Sequence, residues 1–150
     1  TRSSNLPEWR GRVIAGKTLR DFQMLLVDVY LDKSPIQGIG VYAKYPIPKG
    51  TLVWRLDTRF DRIIEVAVYE SQSGPVKDYL DRYAYPDRRD SNFIVFEADD
   101  ARYMNHDDNP NCDVSAPEES YALRDIAAGE ELTCDCNHLF EDGFDFLGDR

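Results

Sequence analysis

Two stretches of the chain follow one plan. Ala43, Ile47 and Gly50 lead into the apolar run Leu52-Val53-Trp54, and Ala122, Ile126 and Gly129 lead into Leu132 at the same spacing. Glycine takes turn conformations without steric cost, so a glycine placed just before a β-rich run marks a turn feeding a strand. Two copies are too few for a solenoid. They predict instead two similarly built strand-turn-strand units inside one β-rich core.

The remaining apolar runs are equally short. Leu25–Tyr30, Val41–Ala43, Thr51–Arg55, Phe60–Ile64, Phe93–Phe96, Ser120–Arg124 and Leu132–Cys136 all have strand length and strand composition, with turn residues between them. One helix interrupts the pattern. Ser73 is placed to cap it, Pro75 sits in its first turn, and Val76, Tyr79, Leu80 and Tyr83 recur at the spacing of one buried helical face. Tyr85-Pro86 ends it, and Arg88-Arg89-Asp90 is expected to be a solvated turn. In the tail, Phe140, Phe144, Phe146 and Leu147 are too irregular for an amphipathic helix, and that much apolar surface is expected to fold back over something.

The 150 residues suit one domain able to bury its own core. No apolar run approaches a membrane span. With 28 acidic against 18 basic residues, the net charge of -10 repels nucleic acid and permits a basic partner. Three cysteines, an odd number, point to free thiols in a reducing, cytoplasmic setting. Cys134 and Cys136 share one strand face, but a tetrahedral zinc site would need Cys112 and His138 to converge on them, so no metal is expected. Residues 1–24 read as a lead-in.

The densest polar chemistry lies in Arg102-Tyr103-Met104-Asn105-His106 and on to Pro110-Asn111-Cys112, a loop between apolar segments, and such loops carry sites. Gly129-Glu130-Glu131-Leu132-Thr133 answers it about twenty residues later. Glu130 and Glu131 do not make a hydrolase pair, because adjacent strand residues face opposite sides. Upstream, Gly38-Ile39-Gly40 precedes a strand, where glycine permits close backbone approach.

Taken in order, Gly38-Ile39-Gly40-Val41-Tyr42-Ala43, the Ile47-Pro48-Lys49-Gly50 turn, the Asn105-His106 run and the Glu130-Glu131-Leu132-Thr133 run resemble the SET-domain family of protein lysine methyltransferases. The resemblance covers 25–137 and is strongest to the short, free-standing bacterial members, since Asp108 stands where flanked histone enzymes keep a zinc-binding Cys. It implies a mainly β fold: a β-clip of small sheets with a C-terminal pseudoknot around the Asn-His motif and one or two short helices.

It further implies S-adenosylmethionine as cofactor, held by Gly38, Ile39, Gly40, Arg102, Asn105 and His106, with Phe144 or Phe146 of the 138–150 tail covering the adenine. The substrate implied is a lysine side chain of a basic protein or peptide, entering a channel lined by Tyr85, Cys134 and Cys136. Here the chain departs from the pattern: the family's Glu-Leu-Thr-x-Asp-Tyr reads Glu131-Leu132-Thr133-Cys134-Asp135-Cys136. A thiol reaches less far and hydrogen-bonds more weakly than a phenol. The alternative function is therefore a catalytically silent module that keeps the cofactor or peptide site.

Overall fold

The computed structural model describes residues 24–140. All of the expected lead-in but Met24 lies outside them, and so do Phe144 and Phe146. The fold is mainly β, as expected. Among the described residues, ten short strands are β1 (Val29–Lys33), β2 (Ile39–Ala43), β3 (Leu52–Arg55), β4 (Arg62–Glu65), β5 (Ala84–Pro86), β6 (Phe93–Phe96), β7 (Asn105–His106), β8 (Cys112–Asp113), β9 (Glu119–Ala122) and β10 (Glu131–Cys134). Two helices, α1 (Val66–Glu70) and α2 (Gly74–Tyr83), fall between β4 and β5. The larger sheet has the order β1-β2-β10-β8-β9-β3 with β7 also on β10, and the smaller is β4-β6-β5.

The two similarly built units face each other. Ile47 and Ile126 exchange both backbone hydrogen bonds (2.9 and 2.8 Å), Gly50 N–H donates to Ala122 O at 2.8 Å, and Gly129 N–H donates to Ala43 O at 2.7 Å. Both glycines have left-handed backbone, with φ of 81° and 80°, which closes each turn. The exchange brings Ile47 and Ile126 inside with Val41, Val53, Ala122 and Leu132 as the core. Burial of each large aliphatic side chain stabilises the fold by roughly 1.5–3 kcal/mol.

β10 lies in the middle of this arrangement. Cys134 pairs in parallel with His106 on one edge and with Cys112 on the other, so the loop 107–111 straddles the strand. Asn111, 1% exposed, pins the crossing. Its Nδ2 donates to Glu131 O at 2.7 Å, and its Oδ1 accepts from Thr133 N–H at 2.8 Å. Such threading is rare because chains seldom pass beneath their own loops.

Four local expectations are corrected. The first strand begins at Val29, because residues 24–26 run instead along β3, where Leu26 N–H donates to Val53 O at 2.8 Å and Leu25 bridges Trp54. The next shifted strand, expected over Phe60–Ile64, is Arg62–Glu65, aligned by antiparallel pairing with β6. The stripe on α2 is not buried. Val76 is 55% and Tyr79 42% exposed, since the helix lies at the edge of the small sheet, with the Tyr79 and Tyr83 rings edge-on to each other, Tyr79 tilted against Phe96 and Tyr83 edge-on to Tyr103. Finally, Arg88 is no solvated residue. Its guanidinium donates to the backbone carbonyls of Val114, Ser115 and Ala116 at 2.7–2.8 Å, tying the small sheet to the β8–β9 loop.

Candidate functional site

A cavity of about 510 Å³ is walled by both sheets, within the size range of small-molecule sites. The larger sheet and its β1–β2 loop contribute Gly38, Ile39 and Cys134, the small sheet contributes Tyr85, and Glu97 follows directly on its strand β6. The segment leading into β7 supplies Arg102, β7 itself supplies Asn105, and Cys136 follows β10. Seven of the residues singled out from sequence thus reach one wall. Gly40 and His106 stand behind it.

Asn105 joins the two remote segments. Its Nδ2 donates to the carbonyls of Gln37 and Ile39, each at 3.1 Å, and to Glu131 Oε1 at 2.8 Å. Gly38, at φ 52°, makes the turn that points those carbonyls back. Glu131 also accepts from Ser34 Oγ at 3.0 Å and from the Tyr42 hydroxyl at 3.3 Å. This carboxylate fixes Gly40 as glycine, for a Cβ there would meet Glu131 Oε1 at 2.2 Å. Sequence reasoning used Glu131 only to dismiss a hydrolase. The signal for its role was Gly40 on the neighbouring strand, two residues from Tyr42, which pairs with Glu131.

His106 spends both ring nitrogens on protein. Nδ1 accepts from Cys136 N–H at 3.1 Å, which leaves the proton on Nε2 to donate to Asp108 Oδ1 at 2.9 Å. The imidazole therefore anchors the backbone of Cys136 at the cavity wall. The strand expected to reach Cys136 ends at Cys134, and Cys136 opens a short helical turn over Cys136–Leu139.

The thiols of Cys134 and Cys136 lie 3.7 Å apart. Hydrogen bonding with Cys136 and burial push the Cys134 thiol well up. The Cys136 thiol is lowered, chiefly by the hydrogen bond from Cys134 and then by His106. On the same wall the Tyr85 hydroxyl donates to Glu97 Oε1 at 2.8 Å, and burial followed by the Glu97 charge raises that phenol well above its usual range.

Among the described residues, four buried side-chain polar atoms lack a hydrogen-bond partner: Trp54 Nε1, Arg88 Nε, Arg102 Nε and Ser120 Oγ. All four belong to residues of this one wall. Buried donors are rarely left unmet. Their gathering around a single hollow marks it as built for a polar guest.

A family model described as "SET domain" matches residues 38–137, most of the chain. The chain belongs to the SET-domain family. Over 127 residues, 77% of this SET-domain chain, it is 35% identical to Histone-lysine N-methyltransferase trr of Drosophila melanogaster. Over 130 residues, again 77% of the chain, it is 34% identical to Histone-lysine N-methyltransferase 2D of Homo sapiens. It spans only 5% and 2% of those two proteins.

Among solved structures, this SET domain is similar to a Plasmodium falciparum chain described as a histone methyltransferase, with a TM-score of 0.52 and 19% identity over 73% of this chain and 92% of that one. It is also similar to a humanized mutant of the Chaetomium thermophilum Polycomb Repressive Complex 2 bound to an inhibitor, with a TM-score of 0.55 and 22% identity over 77% of this chain and 15% of that one. These structural likenesses support the mainly β SET fold.

The wall of this SET domain suits S-adenosylmethionine, the methyl donor that the family uses. Its unmet donors at Arg102, Trp54 and Ser120 match a carboxylate and ribose hydroxyls, and aromatic and aliphatic surface beside them matches a flat base.

Proposed function

We propose that this SET domain transfers methyl groups from S-adenosylmethionine to a lysine side chain of a basic protein or peptide. The observation that carries the reading is the single cavity whose wall joins both groups of residues, those proposed for the cofactor and those proposed for the amine. In this reading Gly38, Ile39 and Arg102 hold the cofactor, and Asn105 holds the 37–39 loop in place. Gly40 and His106 act from behind the wall, and the proposal keeps Phe144 or Phe146, outside the described residues, as the cover of the adenine. Tyr85, Cys134 and Cys136 line the amine channel. The resemblance to short bacterial members belongs to the same proposal and rests on Asp108, as in the sequence.

When bound, the cofactor supplies an electrophilic methyl group on a sulfonium. The chain's residues have the other tasks, which are alignment and exclusion of water. The Tyr85 and Cys134 side chains, 9% and 3% exposed, leave little room for solvent beside the amine. An unperturbed lysine, with a pKa of about 10.4, must lose a proton before it can attack.

A second reading is favoured by one observation, the thiol of Cys136 where the family keeps a tyrosine: a silent module that binds but does not transfer. Labelled methyl transfer to lysine-rich peptides and a cell lysate, with wild type and Cys136→Tyr, separates the two. Transfer by wild type supports the enzyme. Transfer by the variant alone overturns it in favour of the module.

A further inference from the structure

Three carboxyl groups belong to the cavity wall: Asp81, Glu97 and Glu119. Two have cations in hand. Asp81 lies 3.2 Å from Lys77 Nζ, and Glu119 accepts from the Arg55 guanidinium at 2.8 Å. Glu97 differs from both. It is buried, 9% exposed, and its side-chain hydrogen bond among the described residues is the one that it accepts from Tyr85.

The groups acting on Glu97 make this placement costly. Asp99 and Asp61 add negative charge, Cys136 adds a lowered thiol, and burial of the carboxylate itself is the largest effect. Three arginines share this wall, each engaged elsewhere: Arg88 is committed to three carbonyls and bears on Tyr85, Arg82 lies over the Tyr83 ring, and Arg102 lies over Phe96 and Tyr103. A buried acid without a cation is expensive to keep unless one is delivered to it. Glu97 sits beside Tyr85 and Cys136, on the stretch of wall read above as the amine channel.

We propose that Glu97 receives the substrate amine: its carboxylate binds the incoming lysine ammonium and takes one of its protons. The inference rests on the lysine-transferase reading of the cavity. One N–H bond breaks and leaves its electron pair on nitrogen, and one O–H bond forms on Glu97, so ammonium and carboxylate become amine and carboxylic acid. The carboxyl suits the task, since burial raises its pKa from 4.5 to about 8, close to neutrality, where a general base works best. Tyr85 is the positioning residue. Its hydroxyl donates to Oε1 and favours the ionised form.

The test uses n-butylammonium, a truncated lysine side chain, titrated calorimetrically into the wild-type protein, Glu97→Gln and Tyr85→Phe between pH 6 and 9.5. Wild type is expected to bind at least about tenfold more tightly at pH 9 than at pH 6.5, following ionisation of an acid near pH 8. Glu97→Gln, shown to be folded by its thermal transition, loses that pH dependence and binds at least about tenfold more weakly at pH 9. Tyr85→Phe keeps the dependence but moves its midpoint to higher pH. Wild-type affinity that is absent or flat with pH, or a Glu97→Gln titration equal to wild type, overturns the assignment. The amine arm needs neither cofactor nor turnover. Pattern intact but no methyl transfer by wild type contradicts the transferase reading and leaves Glu97 as the amine receptor; transfer with a flat amine titration removes Glu97 alone.

Discussion

Gly40 is held to glycine by a neighbour and Gly38 by its own backbone, and substitution separates the two causes. In Gly40→Ala the new methyl displaces the Glu131 carboxylate, taking away the acceptor of Ser34 Oγ and one acceptor each from Tyr42 and Asn105, at a cost of about 1–3 kcal/mol in urea unfolding. Gly38→Ala meets open space and carries only the left-handed strain, about 1 kcal/mol. In a Glu131→Ala background the Gly40 penalty should shrink, a non-additivity that a double-mutant cycle reads directly. Glu97 makes a second prediction at this scale. Its folded pKa is raised from 4.5 to about 8, so the folded state holds a proton that the unfolded chain releases; stability is full below pH 4.5 and is lost as pH rises to about 8. Unfolding at pH 6 and pH 9 should show wild type weakening by a few kcal/mol and Glu97→Gln weakening by less. Neither Glu97 nor Arg88 was legible in the sequence as a site residue. A single Glu after a strand and an Arg in a polar turn look solvated until tertiary packing encloses them.

β10 depends on its neighbours on both edges, and Asn111 is where that dependence can be tested. Asn111→Ala removes the acceptor of Thr133 N–H, so that amide should exchange with solvent faster than the rest of β10, at a cost of about 1–3 kcal/mol. Asn111→Asp should be worse, because a carboxylate would then face the Glu131 carbonyl at 2.7 Å and Glu130 Oε1 at 3.2 Å. Both are read by thermal unfolding. The elements themselves were legible in unequal measure. Phe93–Phe96 and the two turns before Gly50 and Gly129 stood out, because local glycine chemistry and apolar runs fix them. The crossing of β10 beneath 107–111 has no local signal, since it rests on parallel pairing of two-residue strands, and it entered only through family resemblance. The α2 stripe misled for the opposite reason. Its period was right, and the sheet beneath it was too small to cover Val76 and Tyr79.

For the whole molecule, the central matter is convergence. Segments far apart in sequence, 37–39, 81–85, 97–105 and 134–136, meet around one hollow of about 510 Å³ through Asn105, Glu131 and the straddling loop. The sequence named seven residues of that wall, nearly all carried by the motifs; it could not reveal that Asn105 uses its amide on the loop, nor that four unmet donors share the space. Calorimetric titration of the wild-type protein with S-adenosylmethionine tests this convergence most directly. Saturable one-to-one binding is expected, weakened about tenfold or more, roughly 1.4 kcal/mol, in Asn105→Ala, which releases the 37–39 loop. A folded wild-type protein that takes up no S-adenosylmethionine would contradict it.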